Sequence, residues 1–336
     1  MTSRPSTVPA TGADPSPGLR QRVLFIGGLG RSGTTVIERM LNELPQMFAV
    51  GESIFLWKRG LKDHERCGCG EPFETCPHWS AVGQEAFGGW DRVDVDRMID
   101  LRWSVDRTRR VPGLLVRRDP ERLGPDQQWY LDKLGRVLDA SATVAGRPPV
   151  LLDSSKHLSA AALLTLDPRL EIRVLHLVRD VRGVAYSRTR TKLRPEAGNV
   201  AMSTLSPQAS AWRWVTDNLG YEVLGARGVP MLPLRYEDFM ADPRASLVAI
   251  ARFVGVEPTD DDLSFLAGRT ARFRTPMHSA AGNPVRFGGD ELEVRVDRAW
   301  QEQMPAGQRR LVTAIAGPML VRYRYPLAVP PPTRPT

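Results

Sequence analysis

Lysine is nearly missing from this 336-residue chain. Of its 46 basic residues only five are lysines (58, 62, 133, 156 and 192), and all the rest are arginines. A GC-rich coding sequence would account for most of that bias. The net charge of +8 and pI near 9.8 therefore favour an anionic ligand without pointing to a nucleic-acid partner. Cysteine is scarce too. Three cysteines cannot build a disulfide framework, which makes the cytoplasm the expected compartment. Long apolar runs are missing: none approaches the roughly 20 residues that span a bilayer, so no transmembrane segment is expected. The first residues, "MTSRPSTVPATGADPSPG", lack the apolar stretch of a secretory signal. Their composition suggests a disordered leader over 1–20, and "VPPPTRPT" a disordered tail over 329–336.

What is present is ordinary for a globular protein, 42% hydrophobic and 25% charged, and residues 21–328 are read as a single domain. Four apolar runs each end in a polar cluster: "VLFIGG" (23–28), "VLLDSSK" (150–156), "IRVLHLVRD" (172–180) and "VPMLPLRYED" (229–238). Continuous apolar character is what parallel strands covered on both faces display. Helical patterns lie between them, over 36–44, 160–166 and 243–256. The alternation predicts a P-loop-like three-layer α/β/α sandwich around a central parallel sheet, with ligands at the carboxyl ends of its strands. Residues 57–147 are charged and Trp-containing and lack strand runs. They are read as a mostly helical insertion on the acceptor side.

The polar clusters carry the chemistry. "GGLGRSGTT", Gly27 to Thr35, follows the first apolar run and comes close to a P-loop: Gly28 and Gly33 are correctly spaced and Thr35 holds the Ser/Thr place. The lysine position is Thr34, however, and the nearest cation is Arg31. Backbone N–H groups and a helix N-terminus there would form an anion site. A nucleoside triphosphatase needs the lysine and a second acidic Mg²⁺ ligand. The acids that follow apolar strands here, Asp153 and Asp180, are each followed or preceded by a cation, so the expected anion is shorter than a triphosphate, held by arginine and hydroxyls without a metal. In "HLVRDVRGVAYSR" (176–188), Arg179 ends a buried strand and Ser187 follows eight residues later, so that both converge on one anion.

Together these two motifs resemble the sulfotransferase family, which moves a sulfuryl group from 3′-phosphoadenosine 5′-phosphosulfate (PAPS). The likeness spans about Val23 to Tyr325 and is greatest to the bacterial branch similar to tyrosylprotein and carbohydrate sulfotransferases. "DSSK" (153–156), "LRYEDFMADP" (234–243), "ARFVGV" (251–256) and "GNPVRF" (282–287) add to it. The resemblance implies that Gly30, Arg31, Ser32, Gly33, Thr34 and Thr35 grip the 5′-phosphosulfate. It implies that Arg179 and Ser187 grip the 3′-phosphate and that Tyr236 lies near the nucleotide. Asn283 and Arg286 would close over PAPS. A further family arginine falls near Thr191, with Arg188, Arg190 and Lys192 as substitutes. Glu52, in "FAVGESIFLW", matches the general base of tyrosylprotein-type enzymes, and Lys156 a lysine near the sulfuryl group. With Arg31, these two make up the expected catalytic set.

The implied reaction gives PAP and a sulfated hydroxyl on a small molecule, glycan or glycolipid, with no nucleic acid involved. Oligomeric state is left open. His157 and His278 are rival bases, because phenol-type members use a histidine, and a capping or salt-bridging role is the plain alternative for Glu52. Cys67, Cys69, Cys76 and His78 offer four soft ligands, but their spacings are tighter than usual metal motifs. Buried thiols are the leading reading, with a structural zinc or a Cys69–Cys76 contact as alternatives. Two other functions compete: a P-loop nucleotide kinase or NTP-binding protein, and a nucleic-acid binder, which would need basic residues interleaved with aromatics on one surface.

Overall fold

The computed structural model describes residues 20–328 apart from 106–110, 116–119, 192 and 195–197. The expected leader (but for Arg20), the tail and Lys192 lie outside the described residues. Five parallel strands form the central sheet: β1 (Gln21–Gly27), β2 (Met47–Gly51), β3 (Val150–Lys156), β4 (Leu170–Val178) and β5 (Met231–Arg235). Their order is β2-β3-β1-β4-β5. The sequence reading counted four strands. The fifth, β2, is not among the four apolar runs, because five residues at a sheet edge give too little pattern.

Both faces of the sheet are covered. Val23 and Phe25 pack with Trp57, Trp79, Leu134 and Leu138 on one side. Leu24 and Ile26 pack with Ile37, Met40, Leu247 and Ile250 on the other. This alternation along one wholly apolar strand is the physical meaning of its continuous run. The helix α1 (Thr34–Leu41) and the helix Pro243–Phe253 cover the second face. Between β2 and β3 the chain makes the helices Pro77–Phe87, Val95–Val105 and Pro125–Val144, preceded by a π-helical stretch, Leu56–Lys62.

Connectivity locates the crevice. From β1 the chain goes to one side for β2 and β3, then returns to the other for β4. Ligands of such sheets lie outside the carboxyl ends of the strands at this reversal. The β1–β3 register also slips between Phe25 and Gly27, and the β2–β3 register between Ala49 and Gly51. Bulges of this kind redirect side chains at a sheet rim. They act here on Asp153 to Lys156.

Candidate active site

The loop after β1 is sterically determined. A Cβ on Gly28 would stand 2.3 Å from the Leu177 carbonyl oxygen, and one on Gly33 would stand 2.6 Å from the Tyr236 ring. Both glycines also adopt positive φ, +133° and +91°. Arg31 takes φ 80°, a region costly for a residue with a side chain. The surroundings hold it there: Arg179 donates from Nη1 to the Arg31 carbonyl at 2.9 Å. Gly33 begins α1 with no side-chain cap hydrogen bond. The Arg31 Nη1 and the Ser32 hydroxyl are buried with no hydrogen-bond partner among the described residues. A buried polar atom left unmade costs about 1–3 kcal/mol, so these two atoms are suited to a ligand's oxygens. Burial also depresses the Arg31 pKa.

The second motif opens the helix Val181–Thr189. Asp180 caps it, accepting from the Arg182 N–H at 2.9 Å, and its carboxylate pairs with the Arg182 guanidinium. Asp180 is thus engaged by Arg182 and not by the adjacent Arg179. Arg179 instead reaches the Asp297 carboxylate at 3.0 Å and lies 4.6 Å from the Tyr236 ring centre. Ser187 lines the cleft, and so does Arg188, which contacts the Gly30 carbonyl at 3.4 Å. Burial, followed by the like charges of Arg213 and Arg31, pushes the Arg188 pKa down to about 10. Among the described residues around Thr191, Arg188 turns inward and Arg190 is exposed.

Opposite the loop, Lys156 donates to Glu52 Oε1. Lys156 sits at φ 68° beyond the bulge, and the Tyr221 hydroxyl fixes its carbonyl at 2.8 Å. Burial works to raise the Glu52 pKa, but Lys156, Arg59 and Arg286 outweigh it and hold the carboxylate below its usual range. Arg59 is itself anchored to Glu65 at 2.7 Å, and Glu65 to Arg194 at 2.7 Å. Asp153 does not cap a following helix: it lies within β3, where it accepts from the Ser53 hydroxyl and, at 2.8 Å, from the Ser155 N–H.

Of the remaining expected residues, Asn283 and His157 line the cleft, whereas Arg286 and His278 are not among its lining. Arg286 is buried behind Glu52, donating to the Arg66 carbonyl at 3.0 Å, whereas Gly282 and Asn283 line the cleft. His157 faces the cleft, edge-on to Phe55 at 5.7 Å. His278 does not face an acceptor. It closes a cluster with Cys67, Cys69 and Cys76, and His78 is not the fourth member. Two hundred residues separate His278 from the cysteines, so spacing alone could not pair them.

Glu38 escaped the sequence reading. It lies on the buried face of α1, four residues after Thr34, and accepts from the Ser154 hydroxyl at 2.8 Å. An acid in step with Thr34, Ile37 and Leu41 was the available signal. Burial pushes its pKa up to about 8, with Ser154 and Lys156 opposing and Glu52 and Asp153 adding to the rise. The raised value means that between about pH 4.5 and 8 the folded state keeps a proton the unfolded state has lost. Stability attached to Glu38 thus falls as pH rises through that window, by at most on the order of 5 kcal/mol. Glu38→Gln is expected to leave the urea midpoint unchanged at pH 4.5 and to raise it progressively towards pH 8. An equal effect at both pH values would mean that Glu38 does not hold that proton.

These groups surround a cleft of about 1090 Å³, walled by the loop, Glu52, Lys156 and Arg188 and flanked by Phe55 and Trp103. A family model described as the sulfotransferase family matches residues 24–261. No curated protein matches the chain. Solved structures similar in fold include two sulfotransferase domains. The sulfotransferase domain from the Synechococcus PCC 7002 olefin synthase is 20% identical, with a TM-score of 0.52 over 94% of this chain and 98% of that one. The sulfotransferase domain from the curacin biosynthetic pathway is 16% identical, with a TM-score of 0.50 over 92% and 99%. Among the described residues no helix is long and apolar enough to cross a membrane.

Proposed function

The chain belongs to the sulfotransferase family, and on that premise we propose that it transfers a sulfuryl group from PAPS to the hydroxyl of a small molecule, glycan or glycolipid. PAPS, when bound, supplies the sulfuryl group and a phosphate leaving group. The observation that carries the reading is the pair of buried, unpartnered polar atoms on the loop, Arg31 Nη1 and Ser32 Oγ. Arg188 adds a desolvated cation beside them. Such an arrangement is costly to leave empty and gains most from an anion with several oxygens.

Roles follow from charge. Glu52 is ionised at neutral pH and takes the acceptor's proton. Lys156 and Arg31 face the negative charge that grows on the leaving oxygen. Lys156 has two anions to choose between. As its ammonium turns from Glu52 to that oxygen, Glu52 loses its nearest counter-charge and becomes a stronger base when a base is needed. Arg179 and Ser187, which both line the cleft, are assigned to the 3′-phosphate with Arg188 beside them, and Arg179 also steadies the loop through the Arg31 carbonyl. The segment between β2 and β3 is assigned to the acceptor side, with Trp103 among its cleft-lining side chains.

The test combines PAP titration calorimetry with transfer of labelled sulfate from PAPS to pools of phenols, sugars and aliphatic alcohols. Saturable PAP binding and a labelled product are expected. Tight binding of ATP with Mg²⁺ and none of PAP would instead favour a P-loop kinase, the reading in which Thr35 holds the metal.

A further inference from the structure

The three cysteines and His278 converge away from the cleft. Their sulfur and nitrogen atoms all lie within 4.8 Å of one another. Cys76 Sγ is 3.5 Å from Cys67 Sγ, 3.7 Å from Cys69 Sγ and 3.3 Å from His278 Nδ1, and Cys67 Sγ is 3.9 Å from that nitrogen. A tetrahedral zinc with ordinary Zn–S and Zn–N lengths separates its ligand atoms by about 3.8 Å for S···S and about 3.5 Å for S···N. The four separations just given lie close to those values, and the other two are within 4.8 Å. A disulfide would single out one pair of sulfurs, whereas here one sulfur stands almost equally far from two others.

The backbone is built for the convergence. Gly68 donates its N–H to the Ser279 carbonyl at 3.0 Å, and a Cβ at Gly68 would stand 2.5 Å from the Met277 carbonyl oxygen. The Cys-Gly-Cys-Gly turn therefore docks on the residues flanking His278, and Gly70 completes it at φ +95°. Trp79 Nε1 donates to the His278 carbonyl at 2.9 Å, and the imidazole stacks on His78 at 5.2 Å. These contacts aim Nδ1 at the sulfurs.

We propose that Cys67, Cys69, Cys76 and His278 hold one structural zinc ion. Three thiolates and an imidazole form a soft, closed donor set with no position left for substrate, which distinguishes it from a catalytic centre. Binding displaces the protons of the three thiols. The ion joins two segments some two hundred residues apart. The loop it fastens reaches the cleft within five residues: Ala280 donates to the Val50 carbonyl at 2.9 Å, Ala281 accepts from the Glu52 N–H at 3.4 Å, and Gly282 and Asn283 line the cavity. The metal would thus brace the backbone beneath Glu52 without touching the reaction. This inference does not depend on the identity of the co-substrate.

The experiment is elemental analysis of the full chain purified under reducing conditions, followed by replacement with Co²⁺. One equivalent of zinc per chain is expected, and the Co²⁺ form should show thiolate charge-transfer bands and the intense visible bands of tetrahedral coordination. A zinc-selective chelator should lower the melting temperature. His278→Ala and Cys76→Ser should lose the metal, while His78→Ala should keep it. Folded, reduced protein that contains no zinc and takes up no Co²⁺ would overturn the proposal. So would stoichiometric zinc in His278→Ala, or a disulfide found by intact mass in protein isolated without oxidant. If the variants fail to fold, the Co²⁺ spectrum of the unaltered chain decides.

Discussion

Glu52→Gln is expected to reduce turnover by ~10²–10⁴-fold, the usual contribution of a general base, with PAP affinity unchanged. Glutamine keeps the side-chain shape and an oxygen for the Lys156 ammonium, so the Lys156–Glu52 contact persists in weaker form and the loop is undisturbed. What it removes is the proton acceptor. The pH profile provides a second check. Lys156, Arg59 and Arg286 overcome burial and hold the Glu52 carboxylate below its ordinary 4.5. It therefore stays ionised as pH falls until that depressed value is reached, and the acid limb of kcat/KM should lie below about pH 4.5. A limb near the ordinary imidazole value of about 6.5, together with normal turnover in Glu52→Gln, would transfer the role to His157, which lines the same cleft.

Arg31→Ala is expected to weaken PAP binding by roughly 10- to 100-fold, because a hydrogen bond to a charged group contributes about 1.5–3 kcal/mol and each 1.4 kcal/mol is tenfold. Alanine also keeps the strained positive φ of this position without the guanidinium that gives the strain a use. Arg31→Lys should fall between the two, retaining charge but not the planar fork. Calorimetric titration with PAP reads all three proteins. Wild-type affinity in Arg31→Ala would mean that the loop arginine faces away from the anion and that Arg188 is the main cation.

The strands and the loop were legible because their causes are local. A sheet strand covered on both faces must be apolar throughout, so β1, β3 and β4 announce themselves. Gly28 and Gly33 are required by close approach of Leu177 and Tyr236, and a glycine stands out at fixed spacing. Glu52, Lys156, Arg31 and Tyr236 lie at strand ends or on a loop and Ser187 on the helix that follows a strand, and all line one cleft. Their convergence needed nothing more than the rule that strand carboxyl ends meet at the reversal of sheet order.

Only the tertiary structure decided the rest, and the reason is distance along the chain. Arg179 lines the cleft as its place in the motif suggests, but only the fold shows that it also donates to the Arg31 carbonyl and pairs with Asp297, each more than one hundred residues away. Glu38 reads as one more charged residue on an amphipathic helix until Ser154 is found beside it. The nearby His78 was the natural fourth partner for the cysteines by sequence, yet His278 takes the place, brought there by a glycine turn that tolerates no side chain. Composition and period determine what a segment becomes. Which segments meet, and hence which charges are desolvated and which thiols share a centre, is set by the packing of the folded chain.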